Sequence, residues 1–230
     1  MDADLPLKSY GQPRLFQSGE DTTRILELFP PLWSALEDLS SPDLNTRQKA
    51  LVSLENSGAA RISPLVAYHI ATCLTDPDLG IRRQVVKILG NLLAPDSQGN
   101  LSLQSVLEHL TFYLSRIRTR QVFSMIQVLA SNPDLAPQVV RLLLACPFAG
   151  NHLIEIAHSR KISLDIRNTA IWLIGEVGYV DAIPALERLQ IRMESRLNGQ
   201  QSMPFAPPFG MDDSELLPGL KSALAMLRSP

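Results

Sequence analysis

From Thr22 onward, apolar residues recur at spacings of three and four along almost the whole chain, and short breaks rich in Pro, Gly, Asp and Ser separate the runs. This pattern predicts helices over about 22–39, 43–57, 63–74, 77–93, 102–115, 119–131, 134–145, 150–159, 164–177, 182–196 and 213–228. Strand signals are nearly absent. Pro30-Pro31 interrupts or restarts the first helix. At the fourth, Asp76 is expected to cap while Pro77 takes the first helical position, where its missing N–H costs nothing. Ser41-Pro42 and Asn132-Pro133 repeat that device, and Gly58 and Gly178 stand where helix ends are expected. Before Thr22 the pattern fails. Pro6, Gly11, Pro13 and Gly19 lie among scattered apolar residues, so 1–21 reads as a tail or an extended arm.

The punctuation repeats. Ser41-Pro42-Asp43 with Arg47, Ala50 and Leu54 returns 35 residues later as Asp76-Pro77-Asp78 with Arg82, Val85 and Leu89. Upstream, Trp33, Leu36 and Leu39 map onto Tyr68, Ala71 and Leu74. Such a period, with helical spacing inside each unit, signals stacked helix pairs. Two distant helices share an apolar stripe: Ile81, Val85, Ile88, Leu89 and Leu92 fall at the same offsets as Ile166, Ala170, Leu173, Ile174 and Val177. In both, Arg follows the first apolar residue (Arg82, Arg167) and Gly follows the fourth (Gly90, Gly175). Gly inside a helix costs about 1 kcal/mol against Ala. Its reuse suggests that a neighbouring helix comes close there.

These units resemble HEAT repeats, most closely the bacterial phycobilisome-lyase-like sort. The residues that carry the resemblance are Asp76-Pro77-Asp78-Leu79-Gly80-Ile81-Arg82 leading to Leu89-Gly90-Asn91-Leu92, and Ser163-Leu164-Asp165-Ile166-Arg167 leading to Ile174-Gly175-Glu176-Val177-Gly178. Asp181-Ala182-Ile183-Pro184-Ala185-Leu186 is similar to the start of the family's first helix. The resemblance is good over 28–93 and 150–196, loose over 102–131 and poor over 134–149. It implies an all-α, right-handed α–α superhelix, an armadillo-like solenoid of about five helix pairs forming one domain over 22–230. A Pro/Phe-containing loop at 197–212 would precede the last helix. Pairing from the front leaves one helix surplus, unless Cys146 to Gly150 kinks or splits a single first helix over 134–159, which is the reading adopted. The resemblance also implies turn-bracing arginines. Arg82 would reach Asp78 or Asp43, and Arg167 would reach Asp165 or a neighbouring turn, with Arg47 in the same structural set.

Bulk composition narrows the function. With 45% hydrophobic and 19% charged residues, the chain can bury a sizeable core and does not read as disordered. A net charge of −2 provides no global attraction for a phosphate backbone, so nucleic-acid binding is not favoured. The start is acidic and does not read as a secretory signal, and no run is long enough to span a membrane. Cys73 and Cys146 make neither a metal spacing nor a disulfide framework, so a soluble cytoplasmic protein with reduced, core-packed thiols is expected.

No catalytic set is legible. The four histidines include no i, i+4 pair, and Glu155 with His158 is one motif where a carboxylate-bridged site needs two. Neither a Gly-x-Ser-x-Gly elbow nor a Gly-rich phosphate loop occurs. We therefore expect no cofactor, no metal and no enzyme activity. What remains is surface. Arg116, Arg118 and Arg120 alternate through one turn, with Arg82, Arg83 and Lys87 near the preceding one, and register stacking would align them along an edge. Phe205 and Phe209 lie in a Pro-rich segment that can present them to a partner or fold over the array's end. The expectation is a non-catalytic protein-interaction scaffold, with a homodimer through the end helices open. A bilin lyase or isomerase subunit, implied by the repeat flavour alone, is the alternative. A HEAT-like nucleic-acid binder is the second.

Overall fold

The computed structural model describes residues 29–201 and 213–229. Over these the chain is all-helical, with eleven α-helices packed on one another: α1 (Pro30–Asp38), α2 (Leu44–Asn56), α3 (Pro64–Thr72), α4 (Leu79–Leu92), α5 (Gln104–Leu114), α6 (Thr119–Ser131), α7 (Ala136–Leu144), α8 (Ala149–His158), α9 (Leu164–Val177), α10 (Ile183–Gln201) and α11 (Leu217–Arg228). None is long and apolar enough to cross a membrane. Residues 1–21, Phe205 and Phe209 lie outside the described residues.

The helix starts follow local chemistry, with one shift from expectation. Asp43 and Asp78 are the caps, accepting from Thr46 N at 2.8 Å and Ile81 N at 2.9 Å. Pro42 and Pro77 therefore sit in the turns, and the helices begin two residues after each proline. Extended backbone before proline suits a cap as well as a turn, and Ser63 does cap α3 directly before Pro64. The spacing of Pro42 and Pro77 from their helices is thus decided by the Asp two residues on from Ser41 and Asp76. Asn132-Pro133 behaves likewise, opening a short turn over Pro133–Leu135 before α7. Pro30 and Pro31 open α1. Gly58 (φ 66°) and Gly178 (φ 82°) end helices in the left-handed region open to glycine. Helix α10 stays helical through Gln201, past position 197 where a loop was expected.

The inner stripes are core. Leu36, Leu39, Ala71 and Leu74 are buried, and so are Ile81, Val85, Ile88, Leu89 and Leu92 of α4. On α9, Ala170, Leu173 and Ile174 are buried, while Ile166 and Val177 pack half-buried at its ends. The mapped pair Trp33 and Tyr68 is exposed in both units.

Packing follows chain order at both ends. Helix α1 lies on α2, α2 on α4, α3 on α4 and α5, then α8 on α9, α9 on α11 and α10 on α11. The middle departs from simple pairing. Helix α6 packs against α4, α7, α8 and α9, and against the turn Cys73–Thr75 after α3. The segment 134–159 is two helices with different neighbours, since α7 lies on α4, α6 and α9, whereas α8 lies on α6 and α9. The segment is thus split and not merely kinked, and both of its helices pack on α6 and α9.

The reused glycines mark close crossings. A Cβ on Gly90 would come within 2.4 Å of Gln138 Cβ and 2.7 Å of its Cα, on α7. A Cβ on Gly175 would come within 3.0 Å of Ala223 Cα, on α11. Helix propensity alone favours Ala at both by about 1 kcal/mol. At Gly90 the obstacle is backbone, which cannot swing aside. Gly90→Ala should therefore lower the melting temperature, with α7 displaced, and a thermal melt of the variant at or above wild type would exclude the close crossing.

Candidate functional site

The turns after α1 and α3 are tied by one arginine. Arg47, four residues past the Asp43 cap, donates through Nε and Nη2 to the two carboxylate oxygens of Asp76 at 2.9 and 3.1 Å. Its Nη1 donates to the Ser41 and Pro42 carbonyls at 2.9 and 3.2 Å. Only 11% and 7% of the two side chains are exposed, so this fork-to-fork pair sits in a shielded place where its geometry counts. Asp76 also accepts from Asp78 N at 2.8 Å, which fixes the turn that leads into α4.

The other expected braces fall out differently. Asp43 and Asp78 are committed to helix caps, and the Thr46 hydroxyl and amide bonds hold the Asp43 carboxyl below its ordinary pKa. Arg82 reaches neither of them. It donates Nη1 to the Asp76 carbonyl at 3.1 Å, and its buried Nε has no acceptor among the described residues. Arg167 is buried and donates Nε to the Ala157 carbonyl at 3.0 Å, tying α9 to the end of α8. Asp165 uses its backbone carbonyl, accepting from Thr169 Oγ1 at 2.7 Å. A brace that the sequence reading missed is Arg61. Its guanidinium donates to the Asn91 and Ala94 carbonyls at 2.8 and 3.3 Å and to Ser102 Oγ at 3.3 Å, organising the long connection before α5.

The turn 115–118 between α5 and α6 lies beside the turn 73–78. Tyr113 OH, just before it, donates to the Ala71 carbonyl at 3.0 Å, and Ser124 Oγ, just after it, donates to the Leu74 carbonyl. Arg116, Arg118 and Arg120 are all exposed along this turn. The Arg116 guanidinium rests 4.1 Å over the ring of Phe112, itself 56% exposed. Tyr68, 50% exposed on α3, meets Tyr113 edge-on at 5.7 Å and His69 at 5.9 Å. The result is an exposed aromatic and arginine surface spanning α3, α5 and the start of α6. Burial pushes the Tyr113 hydroxyl up to about 12, in line with its buried bond to Ala71.

The second basic cluster is partly neutralised, because Lys87 and Gln84 on α4 both reach Glu55 on α2, at 3.3 and 3.0 Å. Thr119 at the start of α6 donates to Glu155 at 2.6 Å and meets His152 Nδ1 at 2.9 Å, a polar clamp between α6 and α8. His158 faces its own helix, with Nδ1 2.8 Å from the Ile154 carbonyl, so it does not join Glu155 in a site. Among the described residues no group of three or more His, Cys, Asp or Glu could hold a metal ion. Cys146 is buried and Cys73 half-buried, and burial pushes both thiols up, away from the reactive thiolate.

No protein-family model matches the chain. No curated protein matches it. Among solved structures, a crystal structure of an engineered protein is similar over 86% of this chain and 99% of that one, at 15% identity and a TM-score of 0.34. That likeness is too slight to carry an inference.

Two measurements check the site. Asp76→Ala leaves the half-buried Arg47 without its acid and should destabilise by about 3 kcal/mol, read by urea denaturation, whereas exposed ion pairs contribute under about 1 kcal/mol. Tyr113 binds its proton more tightly folded than unfolded, so its contribution is complete below pH about 10 and is lost as pH rises toward 12. Tyr113→Phe should be less stable at neutral pH, by about 1 kcal/mol for the lost bond, yet lose stability less steeply in that alkaline window.

Proposed function

We propose that this chain is a non-catalytic protein-interaction module built as an α-solenoid of HEAT-like helix pairs. Supporting the architecture are the 35-residue spacing of Ser41 and Asp76, the equivalent close crossings at Gly90 and Gly175, and packing that runs between helices near in sequence at both ends. The odd helix in the middle is α6, which packs on α4, α7, α8 and α9 instead of on one partner. On this reading the array changes phase once, at α6.

The observation that carries the functional half is the surface formed by Tyr68, Phe112, Tyr113 and Arg116. Aromatic residues and arginine are enriched where proteins bind one another, and charged side chains such as Lys and Glu are depleted there. Tyr113 and Arg116 are held in place, by a carbonyl and by a ring, so little side-chain entropy is left to lose on docking. A ring standing half out of the surface, with its neighbours already ordered, is the usual form of a binding anchor.

Affinity capture from a lysate of the source cells tests this. Immobilised wild-type protein should retain a set of proteins that Tyr68→Ala and Phe112→Ala lose, while circular dichroism shows both variants folded. Retention of the same set by all three proteins, or of nothing by wild type, would count against this surface.

A further inference from the structure

We infer that the turn joining α5 to α6, together with the ring of Phe112, is a docking site for an acidic segment of a partner protein. This rests on the interaction-module reading and names its partner class. It comes from comparing two arginines in the same register. Arg47 and Arg82 each lie four residues past a capping Asp, and each donates Nη1 to a backbone carbonyl six residues back, Ser41 for one and Asp76 for the other. Arg47 completes its bonding with the carboxylate of Asp76, which stands two residues before the next cap, Asp78. Helix α6, which packs on α4, begins after its own cap position Arg118, and the residue two before that is Arg116. Where Arg47 finds an acid, the position of the chain that corresponds to Asp76 for Arg82 is an arginine, Arg116.

The electrostatic consequence is local and one-signed. The buried Nε of Arg82 has no acceptor, and Arg118 and Arg120 form no ion pair among the described residues. The acids on the surrounding elements hold bonds of their own, and among the described residues none of them pairs with Arg118 or Arg120. Asp76 is held by Arg47 and Asp78 by the Ile81 amide. Glu108 of α5 accepts from Gln104 at 3.0 Å, and Glu155 of α8 accepts from Thr119 at 2.6 Å. Helix α6 carries no acid of its own. The exposed arginine forks at this turn are therefore open to carboxylates of another molecule. Arginine forks match carboxylates in a bidentate way, as Arg47 does inside this same protein.

The aromatic component favours a protein segment over a nucleic-acid strand. Phe112 is covered on one face by Arg116, and Tyr68 and Tyr113 stand nearly perpendicular, edge to face, so no row of parallel open ring faces is offered for successive bases to stack on. An acidic segment with an apolar anchor fits both halves. Its carboxylates meet Arg116, Arg118 and Arg120, and its anchor lies against Tyr68 and the free edge of Phe112.

Fluorescence anisotropy at low salt tests the site. The probe is a short fluorescein-labelled peptide with tryptophan between two runs of glutamate, compared with an oligothymidylate of equal charge. Wild type should bind the peptide more tightly than the oligonucleotide, with affinity falling as salt rises. Replacing Arg116, Arg118 and Arg120 together by Glu should weaken peptide binding at least about tenfold. Lys49→Glu, on α2 away from the site, should leave it unchanged. Arg120→Ala, a single exposed change, should weaken it by a smaller factor and serves if the triple variant does not fold. The inference is overturned if wild type does not bind the peptide, if the arginine variants bind like wild type, or if the oligonucleotide binds as well as the peptide. If the peptide fails while lysate capture through Tyr68 and Phe112 succeeds, only the acidic class falls. If both fail, the interaction reading falls with it.

Discussion

The burial of α6 is the constraint on which the rest of the molecule depends. Val122, Ser124, Met125, Ile126, Val128 and Leu129 are all buried, and at 100° per residue they cover an arc of about 200° around the helix. A helix in a simple two-layer array needs a stripe of about half that width. The wider stripe obliges α6 to find partners on several sides, and it does so in α4, α7, α8, α9 and the turn after α3. The one polar residue in that arc, Ser124, is satisfied by the Leu74 carbonyl. Polar groups buried without such a partner cost several times what a good bond contributes. Placing α6 there also fixes where its first turn emerges, and with it the arginines that precede and follow Thr119.

The arginines show one side chain used in two ways. Arg47, Arg61 and Arg167 turn inward and bridge backbone carbonyls of neighbouring turns, so each ties one connection to the next. Their planar donors suit carbonyls left unpaired at helix ends. Arg116 and Arg118, on a turn of the same kind, and Arg120, at the start of α6, are exposed and form no ion pair among the described residues. Bracing arginines and exposed arginines thus lie on adjacent turns of the same kind.

Much of the fold was legible in the pattern, and the misses have physical reasons. The stripes of α4 and α9 could be read because helical periodicity is local. The repeated glycines announced close contact correctly, since a mid-helix Gly has a local cost that something distant must offset. Their partners, Gln138 and Ala223, could not be read, because nothing in the spacing of one helix says which other helix crosses it. The cap was placed two residues early at Asp76, because a proline at the first helical position and a proline in the preceding turn look alike along the chain. The segment 134–159, expected as one kinked or split helix, is split between Leu144 and Ala149. A break of a few residues is compatible with a kink or with two helices, and only their different neighbours separate the two.

The candidate site divides in the same way. Three alternating arginines and the repeat position shared by Trp33 and Tyr68 were visible in the sequence, as was the low density of chemistry elsewhere, but the exposure of that position was not. That Tyr68 meets Tyr113 and that Thr119 joins His152 to Glu155 required elements brought together from 33 to 45 residues apart, whereas Arg116 over Phe112 is a local contact four residues apart. By itself the sequence determined the all-helical class, the helix starts to within a few residues and the inward stripes, because these follow from short-range spacing and capping. The tertiary structure alone decided that α6 is shared between neighbours, that Arg47 takes the carboxylate of Asp76, and that Arg82 keeps a buried donor unpaired. Those outcomes depend on which turns lie side by side once the stripes are buried, and that arrangement is a property of the packed chain as a whole.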